Sequence, residues 1–236
     1  MKIALIGYGK MGKLIEEIAL QQNLVIVSKI DPKLKTTEIT KENLCGADVC
    51  IDFSHPEIVL DNIRKLAELK ATVVVGTTGW YDQLDTVKEL VAAHHIGLLY
   101  APNFSIGVHL FLKMVANASS LINQFEEYDV AGFEVHHKEK KDSPSGTAKS
   151  IAETLIKCID RKKSITYEMS ELKIREEELH YPSLRAGFNP GQHNVIFDSP
   201  ADTISLTHQA RNRTGFAKGA LIAAKWLLNK KGLYTI

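Results

Sequence analysis

The run of glycines near the N-terminus constrains the fold more than any other stretch of this chain. Lys2–Ile6 is a short apolar run, and Gly7 to Gly12 follow it at once in the order G-x-G-x-x-G. Apolar residues then recur at helical spacing as far as Ala19. Glycines in this order between a strand and a helix allow a tight turn, close approach of the backbone to a pyrophosphate, and close helix packing. We therefore predict a Rossmann-type parallel sheet domain in which a dinucleotide contacts Gly7, Tyr8, Gly9, Lys10, Met11 and Gly12. The alternative is a glycine-rich turn that binds nothing.

An acidic residue bears on which dinucleotide binds. Asp31 follows the second apolar run, Leu24–Ile30, about 20 residues beyond the glycines. A carboxylate there accepts hydrogen bonds from the adenosine ribose hydroxyls and repels a 2′-phosphate, which favours NADH. Lys29, Lys33 and Lys35 are close enough in sequence to attract that phosphate instead, and Asp31 as a plain turn residue is the alternative. The sequence predicts NADH or NADPH as the cofactor, with a preference for NADH.

More strand and helix patterns alternate through the first half of the chain. Apolar runs at Ala47–Phe53, Thr72–Val75 and Ile96–Tyr100 are separated by helical patterns near 58–66 and 84–93. Repeated β-α units with short connections predict a parallel sheet covered on both faces. Ligands of such sheets lie outside the carboxyl ends of the strands. The turns after two of these strands are therefore further candidate cofactor contacts: Gly76, Thr77, Thr78, Ala101, Pro102, Asn103 and Phe104.

The second half has a different pattern, with fewer helices between its strands. A helix is predicted from about Ile106 to Leu121, with an apolar face through Leu110, Met114, Val115, Ala118 and Leu121. Strands are predicted at Tyr128–His136, Ile165–Ser170, Leu172–Glu176, His193–Asp198 and Thr203–Ala210, with turns at 184–187 and 189–191. This half therefore predicts an α+β domain with a mixed or antiparallel sheet.

The last predicted helix, Phe216–Asn229, decides the domain organisation. It is apolar and rich in alanine, so we expect it to pack back against the first domain. The predicted dinucleotide-binding domain is then discontinuous, comprising residues 1–104 and 214–236. Residues 105–213 form the second domain.

Composition excludes several classes of protein. The 236 residues carry a net charge of +1, so nucleic acid is not an expected partner. The three cysteines form no CxxC pair and are odd in number, which favours a reduced, cytoplasmic setting. The first strand begins at Lys2, so we expect no signal peptide, and no apolar run approaches the roughly 20 residues of a membrane span.

The second stretch that points to chemistry runs from Glu134 to Ala148 and reads E-V-H-H-K-E-K-K-D-S-P-S-G-T-A. A helical pattern follows Thr147, and a helix start suits an anion because its backbone N–H groups are unpaired. Histidine titrates nearest neutral pH and lysine supplies positive charge. We therefore predict a site that holds a small carboxylate and donates a proton. A zinc site at His136 and His137 lacks a third ligand at ligand spacing, so no metal is predicted.

These residues resemble one family, 4-hydroxy-tetrahydrodipicolinate reductase, over essentially the whole chain. The stretch from Glu134 is similar to the family signature E-x-H-H-x-x-K-x-D-x-P-S-G-T-A at every defining position. Supporting matches are Met11-Gly12, Asp52-Phe53, Gly76 to Gly79, Ala101 to Ser105 with Gly107-Val108, Arg185-Ala186-Gly187, and the closing Phe216-Ala217-x-Gly219-Ala220. Departures are Gln192 where members usually carry Glu, Asn189-Pro190 in place of the common apolar pair, and a short segment between Asp31 and Asp52.

The resemblance implies reduction of a cyclic unsaturated dicarboxylate by NADH or NADPH, with loss of the ring hydroxyl as water. It implies that His136 is the proton donor or acceptor, that Lys140 is a second proton donor, and that His137, Gly146 and Thr147 bind substrate. It also implies a homotetramer built through the sheets of the second domains. Two other functions stay open: a dehydrogenase of the aspartate-semialdehyde type, which needs a cysteine thiolate, and a nucleotide-sensing regulator, which needs no proton donor.

Overall fold

The computed structural model describes residues 1–168 and 173–236. The strands are β1 (Lys2–Ile6), β2 (Val25–Ile30), β3 (Val49–Asp52), β4 (Val73–Val75), β5 (Gly97–Tyr100), β6 (Asp129–His136), β7 (Ser164–Thr166), β8 (Glu178–His180), β9 (Ser183–Arg185), β10 (Gln192–Asp198), β11 (Thr203–Gln209) and β12 (Gly232–Thr235). The helices are α1 (Lys10–Gln21), α2 (Val59–Glu68), α3 (Leu84–His94), α4 (Ile106–Ile122), α5 (Gly146–Cys158) and α6 (Thr214–Leu227). No helix within these two described ranges is long and apolar enough to cross a membrane.

The chain divides into two compact units. The first unit contains Met1–Ser105 and Arg213–Ile236, and the second contains Ile106–Asn212. Since α6 and β12 lie in the first unit, the chain leaves that unit after its fifth strand and returns to it at the end.

The first unit is built on a six-stranded parallel sheet. The strand order is β12-β5-β4-β3-β1-β2, and every neighbouring pair runs parallel. This confirms the predicted α/β class with a Rossmann-type sheet. The sequence did not predict β12, because four residues are too few to show a period; the strand forms by pairing Leu233 and its neighbours with β5.

Close packing in the first unit explains one of its glycines. A Cβ on Gly219 of α6 would lie 1.7 Å from the carbonyl oxygen of Phe104, so the helix needs glycine there to reach the backbone that follows β5. Six further α6 residues are buried: Ala217, Ala220, Leu221, Ala223, Ala224 and Leu227. The apolar helix predicted from the sequence is thus a core element of this unit.

The second unit contains a four-stranded mixed sheet in the order β11-β10-β6-β9. β10 is antiparallel to both β11 and β6, whereas β9 runs parallel to β6. The helices α4 and α5 contribute buried residues, including Phe111, Ile151 and Leu155, to the same core as Val195 and Phe197 of β10. The predicted mixed sheet is confirmed.

The predicted apolar face of α4 is wrong. Leu110, Met114 and Leu121 are exposed, whereas the buried residues are Val108, Phe111, Val115, Ser119 and Ile122. The helix carries apolar residues nearly all round, so helical spacing fits two different faces and cannot choose between them. Packing against the unit's own core makes the choice.

Short strands were also misplaced between residues 164 and 187. The predicted strand Ile165–Ser170 is observed as Ser164–Thr166, and its end, together with the start of Leu172–Glu176, lies outside the described residues. Residues 173–176 are not a strand, and Ser183–Arg185 forms β9 where the sequence predicted a turn from Leu184. Strands of three residues form by pairing with a neighbour, which local sequence does not report.

Candidate active site

The glycine loop of the first unit leaves space above the start of α1. Gly7 has φ +84°, and a Cβ on it would lie 2.4 Å from the carbonyl oxygen of Phe53. A Cβ on Gly12 would lie 2.4 Å from the Gly7 carbonyl oxygen. A Cβ on Gly9, in contrast, would meet nothing that the structure describes within 4 Å. A side chain would therefore clash at Gly7 and Gly12 but not at Gly9, the glycine expected to face a pyrophosphate.

The start of α1 suits an anion. Gly9 precedes the helix, no side chain in the described part of the chain caps it, and its first turn, from Lys10, contains no acidic residue. The first backbone N–H groups of a helix lack partners within the helix and carry a partial positive charge. Together with the open space above Gly9, this is the geometry of a phosphate site.

Asp31 lies beside this loop at the end of β2. Its Oδ2 accepts a hydrogen bond from the Tyr8 N–H at 2.7 Å, and its Oδ1 accepts one from the Lys33 N–H at 2.8 Å. The Tyr8 bond is the main reason that the pKa of Asp31 lies below its ordinary value, against a smaller opposing effect of burial. Asp31 is thus a fixed carboxylate beside the glycine loop, not merely a turn residue.

Two of the nearby lysines differ in what they can reach. Lys29 Nζ lies 2.8 Å from Glu16 Oε1 and 4.9 Å from the ring centre of Tyr8, so its charge is already engaged. Lys33 lines the same cavity as Asp31. For a cofactor phosphate near Asp31, Lys29 is therefore already paired with Glu16, whereas Lys33 borders the cavity.

Two cavities follow the carboxyl edge of the parallel sheet. One has a volume of about 450 Å³ and is lined by Gly7, Gly9, Asp31 and Lys65 among others. The other, of about 440 Å³, is lined by Lys10, Met11 and the turn from Gly76 to Thr78. The two share Gly9, Phe53 and Ser54, so they meet at the loop. Each is large enough for part of a cofactor.

A buried carboxylate, Asp52, fixes part of the wall of the second cavity. Asp52 is 0% exposed, and its Oδ1 accepts hydrogen bonds from the Thr77 and Ser54 hydroxyls, both at 2.7 Å, while its Oδ2 accepts one from Asn62 Nδ2 at 2.9 Å. Burial raises the pKa of the Asp52 carboxyl, against hydrogen bonds that lower it. This carboxyl fixes the turn after β4, and Thr78 at the turn's end is exposed.

The loop after β5, predicted to contact the cofactor, has two buried side chains. Ala101 and Phe104 are buried, and the Phe104 ring lies 6.0 Å from that of Phe53, centre to centre. Pro102 is exposed and Asn103 is half-buried, with its Oδ1 accepting the Ser105 N–H at 2.7 Å. Any contact of Ala101 or Phe104 with a ligand would therefore involve the backbone.

In the second unit, β6 ends at His136, which is 8% exposed. Its Nδ1 is 3.2 Å from Oε2 of Glu134, two residues earlier on the same face of the strand. A Cβ added at Gly191, where φ is +145°, would lie 2.9 Å from His136 Nε2. The imidazole therefore has a carboxylate at one nitrogen and a glycine, with no side chain, at the other.

Glu134 accepts from donors on two other elements, the start of α5 and β9. It is 0% exposed, and it accepts hydrogen bonds from the backbone N–H of Ser145 at 2.9 Å, from the Ser145 hydroxyl, and from the Ser183 hydroxyl at 2.7 Å. Arg185 Nη2 lies 3.3 Å from Oε1. Burial alone raises the pKa of Glu134, but the donors around it, led by His136 and Ser145, hold that pKa well below its usual range.

The start of α5 is prepared for an anion. Ser145 caps the helix, since its Oγ accepts the Ala148 N–H at 3.1 Å, and no acidic residue lies in the first turn. Gly146 is exposed, and a Cβ on it would meet nothing that the structure describes within 4 Å. Thr147 is half-buried beside it. An anion approaching this end would meet backbone N–H groups and open space.

Lys140 has an anionic partner in its own loop. Its Nζ lies 2.7 Å from Oδ1 of Asp142. Asp142 is held in turn by Arg185, whose Nη2 donates to the Asp142 carbonyl oxygen at 2.6 Å. His137, half-buried, accepts the Lys140 N–H with its carbonyl oxygen at 3.1 Å. Arg185 thus ties this loop to β9.

His193 is the residue at this site that the sequence missed. The register of β10 against β6 places it opposite Glu134, and its Nδ1 lies 3.9 Å from Glu134 Oε2. Burial lowers the pKa of His193 to about 4, so it is neutral at pH 7. Glu134, His136 and His193 each have a candidate ligand atom within 4.8 Å of the others. The Arg185 cation on the same carboxylate opposes a metal ion there, and the absence of a metal stays a prediction.

Two family models match the chain. The model described as "Dihydrodipicolinate reductase, N-terminus" matches residues 1–104, and "Dihydrodipicolinate reductase, C-terminus" matches residues 107–236. The chain belongs to the dihydrodipicolinate reductase family. The resemblance seen in the sequence is thereby confirmed.

Similar proteins cover the whole chain. A relative from Christiangramia forsetii named 4-hydroxy-tetrahydrodipicolinate reductase is 36% identical over 236 residues, which are 100% of this chain and 96% of that protein. One of the same name from Archaeoglobus fulgidus is 34% identical over 261 residues, covering 100% and 98%. A solved structure described as a dipicolinate-bound dihydrodipicolinate reductase from Paenisporosarcina sp. TG-14 matches with a TM-score of 0.78 at 24% identity, covering 100% of this chain and 97% of that one. That likeness shows the fold.

Proposed function

We propose that this protein reduces 4-hydroxy-tetrahydrodipicolinate to tetrahydrodipicolinate with NADH or NADPH, releasing the ring hydroxyl as water, in lysine and diaminopimelate biosynthesis. The observation that carries the proposal is the arrangement of the second-unit site. The buried His136 and Ser145 both contact the Glu134 carboxylate, and Ser145 caps the helix whose start suits an anion. The curated relatives carry the name of this activity over the full length of the chain.

The first unit holds the dinucleotide in this proposal. The pyrophosphate binds at the start of α1 above Gly9, and Asp31 accepts hydrogen bonds from the adenosine ribose. The turn from Gly76 to Thr78 and the backbone after β5 border the nicotinamide end. When bound, NADH or NADPH supplies the hydride.

The second unit holds the dicarboxylate and manages protons. One substrate carboxylate binds the N–H groups of Gly146 and Thr147, and His137 adds a polar contact. Hydride addition to a conjugated imine leaves negative charge on the substrate, and His136 donates the proton that quenches it. Lys140 supplies positive charge beside the dianion and acts as a second proton donor. The domain roles proposed for residues 1–104 with 214–236 and for 105–213 follow from this division.

We propose a preference for NADH, supported by the fixed Asp31 carboxylate and by the engagement of Lys29 with Glu16. Steady-state kcat/KM with each cofactor, in wild type and in Asp31→Ala, tests it. Removing the carboxylate should shift the ratio of the two constants towards NADPH by about tenfold, the effect of one charged contact. A wild-type enzyme that strongly prefers NADPH would refute this assignment of Asp31.

The proposed assembly is a homotetramer in the cytoplasm. Exposed Leu110, Met114 and Leu121 on α4 give the second unit apolar surface that association could cover. Sedimentation velocity measures the assembly directly, and a monomer at micromolar concentration contradicts it.

A cysteine-dependent dehydrogenase is the competing enzymatic function. Burial raises the pKa of Cys50 to about 12, so this thiol does not ionise at neutral pH. Cys45 lies in the first unit and Cys158 ends α5. Neither cysteine is among the residues described above around His136, so the reductase function is favoured.

The decisive experiment is a coupled assay in which 4-hydroxy-tetrahydrodipicolinate is made enzymatically and oxidation of NADH or NADPH is followed by absorbance. Turnover that requires the dicarboxylate is expected. No turnover with either cofactor, from a folded protein that still binds a dinucleotide, would instead favour the nucleotide-sensing regulator.

A further inference from the structure

Glu134 contacts several parts of the second-unit site but has not yet been given a role. One carboxylate accepts both donors of Ser145, the residue that caps α5, and lies against Arg185, which holds the loop containing Asp142. It also accepts from the Ser183 hydroxyl at 2.7 Å and lies 3.2 Å from His136 Nδ1. The proposed proton donor and the proposed carboxylate-binding helix start therefore share a single anion.

The two histidines near Glu134 compete unequally for it. His193 Nδ1 is 3.9 Å from Oε2, too far for a hydrogen bond, and its ring meets the His136 ring edge-on at 5.3 Å. His136 Nδ1 is closer, at 3.2 Å from Oε2, and buried, and among the described residues it makes no well-aligned hydrogen bond to any group, so the carboxylate is its nearest acceptor. The carboxylate is therefore the acceptor available to the Nδ1 proton of His136.

The far side of the ring is kept open. Gly191 follows a loop and stands where any side chain would press on His136 Nε2 at 2.9 Å. A ring whose Nδ1–H points at a fixed carboxylate can release and regain a proton at Nε2 without changing tautomer. The same logic orients the histidine in other carboxylate–histidine pairs.

We propose that Glu134 is a positioning residue for the reduction: it holds His136 with a proton on Nδ1, so that the proton delivered to the reduced substrate leaves from Nε2. The step starts from the His136 imidazolium, with a proton on each ring nitrogen: its Nε2–H bond breaks, the proton forms its new bond at the carbanionic substrate atom, and the neutral Nδ1–H tautomer remains until Nε2 regains a proton from water. This inference rests on the proposed function, and it adds the atom and the residue that sets it.

The test is Glu134→Gln, which keeps the size of the side chain and removes its charge. We expect kcat to fall by about 100-fold, within the range for a misplaced general acid. NADH affinity should stay within about twofold, since the dinucleotide elements belong to the other unit. Nitrogen-15 NMR of histidine-labelled protein at about pH 8, where an ordinary imidazole is neutral, should show His136 as Nδ1–H in wild type and largely as Nε2–H in the variant.

Ser183→Ala is the matched control. It removes one neutral donor from the same carboxylate and leaves the charge and the His136 contact in place. Its kcat should stay within about fivefold of wild type, the worth of one neutral hydrogen bond, with the Nδ1–H tautomer unchanged. If the control lost as much activity as Glu134→Gln, Glu134 would have only a structural role and the inference would fail.

Glu134→Asp covers the case in which the glutamine variant does not fold. It keeps the charge but withdraws the carboxylate from Nδ1 by about one bond length, so kcat should again fall while the fold is retained. Wild-type kcat in either variant, or an unchanged tautomer in Glu134→Gln, overturns the inference. A wild-type protein that fails to reduce the dicarboxylate refutes the proposed function instead, and the NMR comparison still decides the tautomer.

Discussion

Each unit contains a fully buried carboxylate that fixes a loop at the end of a strand, but the two are surrounded by different donors. Among the described residues, the donors to Asp52, at the end of β3, are neutral: the hydroxyl and backbone N–H of Ser54, the hydroxyl of Thr77 and the amide of Asn62. Glu134, near the end of β6, has hydroxyl and backbone donors and also the Arg185 guanidinium.

The difference in surroundings shifts the two pKa values in opposite directions. Burial raises the pKa of Asp52 because neutral donors offset only part of the lost hydration. The pKa of Glu134 is lowered although its exposed fraction is also 0%, because hydrogen bonds from His136, Ser145 and Ser183 outweigh the effect of burial. The first carboxylate fixes a turn that lines a cavity, whereas the second also lies against a histidine.

The largest expected effect breaks the chemistry of the second unit and spares the first. His136→Ala should lower kcat by about 100- to 10,000-fold, because the proton donor is lost, while NADH binding measured by fluorescence titration is retained. Lys140→Ala should lower kcat less, and Lys138→Ala, whose side chain is 68% exposed, is its matched control. Unchanged turnover in His136→Ala would remove the proposed acid.

The second prediction concerns stability. Glu134→Gln should lower the free energy of unfolding at pH 7 by about 3 kcal/mol, because the half-buried Arg185 loses the buried carboxylate that is its counter-ion. Asp52→Asn should change it by no more than about 1 kcal/mol, since an amide can replace a carboxyl among neutral partners.

Chemical denaturation separates the two units in this measurement. Trp80 and Trp226 both lie in the first unit, so their fluorescence reports that unit, while far-UV circular dichroism reports the whole chain. Equal losses in the two variants would show that the contrast between the carboxylates has no energetic meaning.

The smallest expected effect is the response of these differences to acid. The pKa of Glu134 in the folded state is below its ordinary value of 4.5, so its stabilisation is complete above that pH and is lost as the pH falls towards the folded value. The cost of Glu134→Gln should therefore shrink on acidification.

Asp52 has the opposite sign. Its folded pKa is raised above the ordinary value of 3.8, so the wild type loses stability as the pH rises through that folded pKa. Asp52→Asn avoids this loss. Its free energy of unfolding relative to wild type should therefore be higher at pH 7 than at about pH 3.5. Unfolding free energies at three pH values measure both trends, and a parallel response in the two variants would contradict them.

Sequence patterns predicted the parts of the molecule that repeat locally. The strands of the parallel sheet are continuous apolar runs, and the buried face of α5 (Ala148, Ile151, Ala152, Leu155) is the one that helical spacing indicates. Where the pattern is ambiguous, as in α4, or only three residues long, as in β9, the choice is made by packing and pairing, and prediction failed.

The candidate site shows the same limit. The signature from Glu134 to Ala148 lies in one continuous stretch, so the sequence alone revealed it. The roles predicted for its residues remain a proposal. The meeting of Glu134 with His193 and Ser183 depends on the registers of β6 with β10 and β9. Register between distant strands leaves no local signal, so His193 could have been found only by pairing the strands first.

The return of α6 and β12 to the first unit has a consequence for how the protein is made. The second unit is one uninterrupted segment, Ile106–Asn212, and can be complete before α6 and β12 have been translated. The first unit, although its synthesis starts earlier, lacks a core helix and the strand beside β5 until those two elements emerge. Translation that stopped before Arg213 would therefore release a finished second unit joined to an unfinished first unit.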